Sequence, residues 1–263
     1  MSWWGKLAGG AFGFMLGGPL GALLGGVLGH QFDKGLRSID IQSGSIPDQE
    51  RIQTAFFTAT FAVMGHLAKA DGRVSAPEIA LAEQVMQQMS LDAEQRNMAQ
   101  ELFSQGKRVD FPLDEVIGQL RSVAHHRRTL LQMFLEIQIQ AALADGRLDP
   151  GENAVLRRVA DGLGFSPALF RQLLAFIQGL GDSAAGTGQP TGSTALEQAY
   201  RTLGVTRSAS DVDIKRAYRR LMNQHHPDKL VAKGLPEEMM KLATEKSQQI
   251  RAAYDTVKRG RAS

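Results

Sequence analysis

The 263-residue sequence contains no cysteine, and this absence excludes several kinds of chemistry at once. Disulfide bridges, zinc fingers, haem attachment and cysteine nucleophiles all require that residue. No other nucleophile stands beside a base in a recognisable catalytic arrangement, so a hydrolase is not indicated. We therefore expect a protein that has no catalytic residues, needs no cofactor and does not depend on an oxidising compartment.

An excess of basic residues is confined to the C-terminal part of the chain. The formal net charge is only +3. Residues 195–263 contain 14 Lys and Arg against 8 Asp and Glu, which leaves 16 against 19 for residues 1–194. A basic module of this kind can meet nucleic acid, anionic lipid or an acidic protein surface.

Charge is missing altogether from Leu7 to Gly29, a run of 23 residues. About 20 apolar residues are enough for a helix to cross the core of a bilayer. A cleaved signal peptide is a poorer interpretation, because only Lys6 precedes the run and no Ala-x-Ala site follows it. We predict that residues 1–30 form a single-pass transmembrane anchor in the lipid bilayer. Lys34 and Arg37 follow the run, so the positive-inside rule places the later domains in the cytoplasm.

Glycine recurs at every fourth position of this run. Small residues at that spacing let two transmembrane helices approach closely, whereas in water each interior glycine costs a helix about 1 kcal/mol relative to alanine. We predict that the helix self-associates through the glycine ladder Gly9, Gly13, Gly17, Gly21, Gly25 and Gly29. The alternative is a hairpin or a surface-lying segment, since Gly17-Gly18-Pro19 stands in the middle.

Residues 48–180 carry apolar side chains at helical spacing, and the breaks between them carry helix caps and not strand signals. This pattern predicts an all-α domain of about seven helices. Its most apolar segment includes Phe56 and Phe61, but threonines interrupt the hydrophobic run. We expect a buried core helix there and not a second membrane span.

Two stretches of this domain repeat each other with an offset of 74 residues. Each copy ends a hydrophobic helix at an Asp-Gly turn and starts a new helix with a glutamate in its first turn. The acidic residues concerned are Asp71, Glu78, Asp145 and Glu152. They are candidates for a cation site, because hard metal ions bind several carboxylate oxygens. The interpretation we prefer is that the glutamates close capping boxes and the Asp-Gly pairs make turns.

Paired Asp-Gly turns followed by acidic helix starts resemble the TerB-like helical domain. The resemblance covers residues 48–180 and implies an all-helical fold with an internal duplication. The family is associated with metal or tellurite stress. The resemblance therefore also implies an alternative function, that of a membrane-bound protein that senses metal or stress.

Beyond this domain the composition changes. Residues 181–194 contain mainly glycine and small polar residues, which is typical of a flexible linker. A first helix then ends at Gly204, and Ser210 is the expected N-cap of a second helix that reaches about Asn223. A loop follows, and a third helix from Pro236 to about residue 257 completes a helical hairpin.

The second helix is amphipathic. Ile214, Ala217 and Leu221 fall on one side of it, while the other sides are basic. The basic residues are Lys215, Arg216, Arg219 and Arg220. The helix is a poor candidate for reading DNA, because its apolar side is needed for packing and no turn-helix motif precedes it. We therefore expect no nucleic-acid partner.

Four separated blocks of this module resemble a J domain. They are Tyr200-x-x-Leu203-Gly204-Val205, Lys215-x-x-Tyr218-Arg219-x-Leu221, His225-His226-Pro227-Asp228-Lys229 and Ile250-x-x-Ala253-Tyr254. The resemblance covers residues 195–263. It implies that His226, Pro227 and Asp228, with Lys229 and the basic helix, bind a DnaK-type chaperone and stimulate its ATP hydrolysis.

The chain departs from the J-domain pattern at Ser247, where the family usually carries phenylalanine. We expect the hairpin to pack more loosely there, or to be filled by Met222 or Met239. No glycine/phenylalanine region and no zinc-binding cysteine repeat follows, which makes general client binding doubtful. The adjacent histidines 225 and 226 lack a second ligand pair for a transition metal.

The order of a glycine-rich anchor, a TerB-like domain and a C-terminal J domain is similar to that of membrane-anchored DnaJ-like proteins of Gram-negative bacteria. This resemblance implies an inner-membrane location. The expected protein is thus an all-α, membrane-anchored co-chaperone that activates the ATPase of another protein.

Overall fold

The computed structural model describes residues 17–32, 48–70, 76–89, 91–144, 146–185, 192–233, 235 and 240–262. Within these residues the protein is all-α, with twelve helices and no strand, which confirms the predicted fold class. The helices are α1 (Gly18–Phe32), α2 (Asp48–Leu67), α3 (Ala76–Gln88), α4 (Ala93–Gly106), α5 (Leu113–Val123), α6 (Arg128–Ala142), α7 (Pro150–Gly162), α8 (Pro167–Ala185), α9 (Gly192–Leu203), α10 (Asp211–His225), α11 (Pro227–Val231) and α12 (Met240–Ala262). Seven of them, α2 to α8, form the helical domain.

Helix α2 is the centre of the helical domain. From Ile52 to Leu67 every residue except His66 is buried, and α4, α5 and α6 pack around it. Phe56 meets Phe134 of α6 edge to face, with ring centroids 5.9 Å apart. Because burying one such side chain contributes roughly 1.5–3 kcal/mol, α2 stabilises the whole domain. It is a core helix, as predicted.

Two glycines let α2 and α4 cross in backbone contact. A Cβ atom at Gly65 would lie 2.0 Å from the carbonyl oxygen of Phe103, and one at Gly106 would lie 1.8 Å from that of Ala62. Both distances are far below van der Waals separation. A side chain at either position would therefore force the two helices apart.

Helix α1 packs against α4 and α5. Leu20 and Leu24 are fully buried in this contact. The side-chain amide of Gln119 fixes the start of the helix, since Leu20 N–H donates to its Oε1 at 2.8 Å and its Nε2 donates to the Gly17 carbonyl at 2.8 Å. The last part of the glycine-rich run is thus in contact with the helical domain.

The predicted transmembrane span is described only from Gly17 onward, and its residues 7–16 lie outside the described residues. Gly17 and Gly18, the first residue of α1, have φ angles of 57° and 58°, so the right-handed helical φ angles of α1 begin at Pro19. Across the described ranges, we find no helix that is long and apolar enough to cross a membrane.

Helices α9 to α12 form the C-terminal module, in which α10 and α12 make the predicted hairpin. Ile214 and Leu221 are buried between them, and the rings of Tyr218 and Tyr254 stack with centroids 4.2 Å apart. Gly204, with φ of 66°, follows α9 as expected for a glycine stop. The loop predicted after α10 is wrong in part, because Pro227 starts the short helix α11 there.

Other helix boundaries differ from the prediction. Helix α10 continues to His225, and α12 continues to Ala262. Helices also occupy much of the predicted linker 181–194: α8 runs to Ala185 and α9 begins at Gly192. Residues 186–191, which connect them, lie outside the described residues.

Helices α8 and α9 pack against each other, and Gly179 lies where they are close. A Cβ atom at Gly179 would lie 3.2 Å from Cβ of Arg201 and 3.3 Å from the backbone nitrogen of Thr202. Gly179, just before the predicted linker, therefore lies at a close contact between the two helices.

Candidate functional site

The tripeptide His226-Pro227-Asp228 joins α10 to α11. His226 has φ −66° and ψ 122°, an extended conformation that ends α10, and Pro227 is the first residue of α11. The proline ring fixes φ near −65°, and a helix start leaves its missing N–H without consequence. The backbone of this turn is therefore restrained, and Asp228 lies in the first turn of α11.

The carboxylate of Asp228 is open to a binding partner. Its side chain is 83% exposed, and Nδ1 of His226 lies 4.0 Å from Oδ2, too far for a hydrogen bond. A carboxylate in this state can accept two hydrogen bonds from an arginine of another protein. Lys229 differs, because its ammonium group donates to Oδ1 of Asn223 within the chain.

Four residues of α10 form a surface that we call the basic face: Lys215, Arg216, Arg219 and Arg220. All four are exposed, while Ile214, Ala217 and Leu221 are buried on the other side of the helix. Arg216 donates to Asp213 at 3.0 Å, and the other three form no ion pair with another described residue. The positive charge of this face is directed to solvent, next to the tripeptide.

Ser247 is buried at the position where J domains usually carry phenylalanine. Its hydroxyl donates to the carbonyl oxygen of His225 at 2.7 Å. The last carbonyl groups of a helix have no hydrogen-bond partner inside the helix, and this bond supplies a partner for one of those of α10. Met222 is partly buried and packs against the surrounding core, whereas Met239 lies outside the described residues. The serine replaces apolar filling by a hydrogen bond that fixes the end of α10.

A buried polar cluster lies between α6 and the C-terminal module, and the sequence reasoning missed it. Glu136 has no solvent exposure, and its carboxylate accepts hydrogen bonds from Nζ of Lys246 and Nε2 of Gln132, both at 2.9 Å. Nε2 of His225 lies 3.6 Å from the same carboxylate. The available signal in the sequence was Glu136 itself, the single acidic residue of the largely apolar helix α6.

Burial and charge set the protonation states in this cluster. Burial raises the pKa of Glu136, but attraction to His225 in its protonated form and to Lys246, together with hydrogen bonds from Gln132 and Lys246, holds that pKa below its ordinary value. Burial also lowers the pKa of His225, against the attraction of Glu136. The carboxylate is therefore ionised and paired with Lys246, and the imidazole of His225 is neutral at pH 7.

Of the four side chains of the candidate cation site, the structure describes that of Glu152. Glu152 closes a capping box at the start of α7, where its carboxylate accepts a hydrogen bond from the Asp149 N–H at 2.9 Å. The preferred capping interpretation is thus confirmed at Glu152. Asp71, Asp145 and the side chain of Glu78 lie outside the described residues. In the part of the chain that the structure describes, no group of three His, Asp or Glu is placed to hold a metal ion.

The glycine ladder is described in part. Gly9 and Gly13 lie outside the described residues, and Gly17 immediately precedes α1. Gly21 is buried against the helical domain, while Gly25 is exposed, and a Cβ atom added there would meet nothing within 4 Å. Self-association through this ladder, including Gly29, stays a prediction.

Three family models match successive parts of the chain. Residues 1–39 match the Co-chaperone DjlA transmembrane domain, residues 57–175 match Tellurite resistance protein TerB, and residues 198–261 match the DnaJ domain. The order is the one that the sequence motifs indicated. No solved structure matches the chain.

Curated relatives match over nearly the full length. The Co-chaperone protein DjlA of Vibrio cholerae is 47% identical and that of Aliivibrio fischeri is 48% identical, and each alignment covers 98% of this chain and 98% of the relative. The Co-chaperone protein DjlA of Yersinia pseudotuberculosis is 46% identical with the same coverage. With this identity along the whole chain and the basic face and tripeptide of a J domain, the chain belongs to the DjlA family of co-chaperones.

Proposed function

We propose that this protein is a membrane-anchored co-chaperone that binds a DnaK-type chaperone through its J domain, residues 195–263, and stimulates its ATP hydrolysis. The observation that carries the proposal is the juxtaposition of the exposed basic face with the exposed carboxylate of Asp228. The basic face lies on α10, and Asp228 lies in the first turn of the short helix α11 that follows. The chaperone supplies the active site, and this chain supplies the contact that triggers it.

Each part of the contact surface has its own physical role. Asp228 accepts hydrogen bonds from a partner arginine, and Pro227 holds it in place. His226 orients the turn and contributes its half-exposed ring to the contact. The basic face attracts an acidic surface of the chaperone and mainly raises the association rate. Lys229 extends the positive surface beyond the turn.

The anchor places this contact at the inner membrane. The proposal is supported by the uncharged run from Leu7 to Gly29 and by the match of residues 1–39 to a transmembrane family model. Lys34 and Arg37 favour a cytoplasmic location for the domains that follow. Self-association of the anchor through the glycine ladder would bring two J domains together and raise their local concentration.

Single-turnover ATP hydrolysis by the DnaK-type chaperone of the same cell tests the proposal. The full chain in detergent micelles is expected to accelerate hydrolysis. The His226→Gln variant is expected to lose most of this acceleration without losing helicity, because its ring is a surface group. The proposal fails if wild type and His226→Gln accelerate hydrolysis equally, or if neither does.

A matched control is available at the junction of α5 and α6. His126 is also an exposed histidine, but it belongs to the helical domain and is part of neither the basic face nor the tripeptide. The His126→Gln variant is expected to stimulate hydrolysis like wild type. Loss of stimulation in both histidine variants would point to a general effect on the protein and not to the tripeptide.

A further inference from the structure

The J domain is joined to the helical domain by more than a linker, because a buried ion pair connects them. We propose that Glu136 and Lys246 are positioning residues, which hold the J domain in one orientation on the helical domain and thereby fix the direction in which the tripeptide is presented. The proposal deepens the proposed function and rests on it. Neither residue contacts the chaperone, since both are buried inside the chain.

The energetic argument starts from Glu136. An ionised carboxylate without solvent exposure is strongly destabilising unless charges and hydrogen bonds compensate it. Gln132 supplies one hydrogen bond from the same helix, but the compensating charge comes from Lys246, 110 residues further along the chain. Lys246 is itself only 3% exposed. Each domain therefore buries a charge that is neutralised only by the other domain.

Further contacts make the orientation specific. The ring of Phe176, on α8, stacks on His225 with centroids 5.6 Å apart. Nζ of Lys233, just after α11, donates to Oγ1 of Thr129 at 2.9 Å. Together with the ion pair, these contacts join the domains at separate points on α6, α8, α10 and α12. Buried polar contacts of this kind favour one arrangement over nearby alternatives, because a shifted arrangement leaves them unpaired.

His225 connects the interface to the functional site. Its ring lies between Phe176 and Glu136, and its carbonyl accepts the hydrogen bond from Ser247. The next residue is His226, the first of the tripeptide. A displacement of the J domain from the helical domain therefore changes the direction of the tripeptide relative to the rest of the chain and its membrane anchor.

The interface leaves the partner-binding surface uncovered. Asp228 and the basic face remain exposed while the two domains are in contact. Only Arg220 also borders the groove of about 140 Å³ between the domains. The contact with the helical domain is thus compatible with chaperone binding, and we expect it to favour binding and not to inhibit it.

The absence of cysteine allows a direct test. Cysteines placed at Glu101 on α4 and Arg251 on α12, both exposed, accept spin labels specifically in the full chain in nanodiscs. Pulsed electron paramagnetic resonance then measures the distance between the domains. We expect a narrow distribution in this background and a broad one in Lys246→Met, which removes the ammonium group that compensates Glu136 across the interface. The double variant Glu136→Leu with Lys246→Met removes both charges and is expected to restore the narrow distribution.

The functional readout is the concentration that gives half-maximal stimulation of chaperone ATP hydrolysis. If Lys246→Met leaves a tenth of the molecules in the competent orientation, that concentration rises about tenfold while the maximal rate is unchanged. The double variant is expected to return it to the wild-type value. Lys241→Met, which removes an exposed cation of the same helix, serves as the control and is expected to change neither measurement.

The possible outcomes separate the two proposals. A narrow distribution in Lys246→Met overturns the positioning proposal directly. A broad distribution with an unchanged or lower half-maximal concentration overturns its link to function, provided that circular dichroism shows an intact J domain. Absence of stimulation by the wild type instead overturns the proposed function, and the distance measurement still decides whether the ion pair holds the domains together.

Discussion

His225 and His226 are adjacent in the chain, and they lie in opposite environments. The side chain of His226 is 45% exposed, whereas that of His225 is 2% exposed. The two carboxylates nearest to them differ in the same way, since Asp228 is open to solvent and Glu136 is completely enclosed and paired. The J domain thus has an outward surface for another protein and an inward surface for the helical domain, and one peptide bond joins them.

The two surfaces use charge differently. Exposed ion pairs contribute only about 0.2–1 kcal/mol, because water and salt screen them. Breaking a buried pair costs about 3–5 kcal/mol, because one charge is left without compensation. Substitutions on the outward surface are therefore expected to alter association with the chaperone directly. Substitutions on the inward surface are expected to alter the stability of the chain, and association only through the orientation of the J domain.

The largest expected effect on stability is that of Glu136→Ala, which we compare with the same substitution at the exposed carboxylate, Asp228→Ala. Glu136→Ala leaves the ammonium group of Lys246 buried and unpaired, and it is expected to lower the free energy of unfolding by up to about 3–5 kcal/mol. Separation of the domains limits the loss, since it returns Lys246 to water. Asp228→Ala is expected to cost less than about 1 kcal/mol, because the group is exposed in the first turn of a short helix. Urea unfolding of the full chain in micelles measures both, and equal losses would contradict the division into two surfaces.

The outward surface was predictable from sequence because local patterns define it. An apolar repeat at helical spacing places Ile214 and Leu221 together and leaves the basic residues outside. Ser210 marks a helix start by a capping rule that acts within a few residues. The loop predicted after α10 was wrong only because the proline there begins a helix. The apolar pattern predicts which residues are exposed, and the family resemblance then implies which partner binds them.

The inward surface was not predictable because it depends on residues far apart in the chain. Nothing near Glu136 in sequence indicates that its counter-ion is Lys246, and a single glutamate in an apolar helix also occurs on solvated faces. Gly179 illustrates the same limit, because nothing near it in sequence indicates its close contact with Arg201 and Thr202. Ser247 was recognised as a departure, but its hydrogen bond to His225 follows only from the tertiary arrangement.

A second, smaller effect concerns pH and the inward histidine. Burial holds the pKa of His225 below its unfolded value of 6.5, so the unfolded chain binds more protons in this range. The stability contributed by the neutral ring is present above pH 6.5 and is lost as the pH falls through the folded pKa. The pKa of Glu136 is also lowered, so the stability that this carboxylate contributes is likewise lost as the pH falls below 4.5. Lys246 faces both groups.

The expected loss below pH 6.5 is at most about 1.4 kcal/mol per pH unit, the slope for one proton. Urea unfolding at pH 7.5, 6.5 and 5.5 measures it in the wild type and in His225→Gln. Burial also lowers the pKa of His66, so that group contributes a pH dependence of the same sign in both proteins. The difference between the two profiles therefore isolates the contribution of His225. Parallel pH profiles in the two proteins would show that the buried ring does not contribute.

The smallest expected effects belong to the outward basic face. Arg219→Gln is expected to raise the half-maximal concentration for chaperone stimulation by the equivalent of about 0.2–1 kcal/mol at low salt, mainly through slower association. Arg251→Gln, an exposed arginine on α12, is the matched control and is expected to change little. The screening length falls from about 8 Å at 0.15 M salt to about 3 Å at 1 M, so the difference between the two variants should shrink as salt is added. A difference that persists at high salt would mean that Arg219 makes a direct, desolvated contact, and the outward surface would then share the energetic character of the inward one.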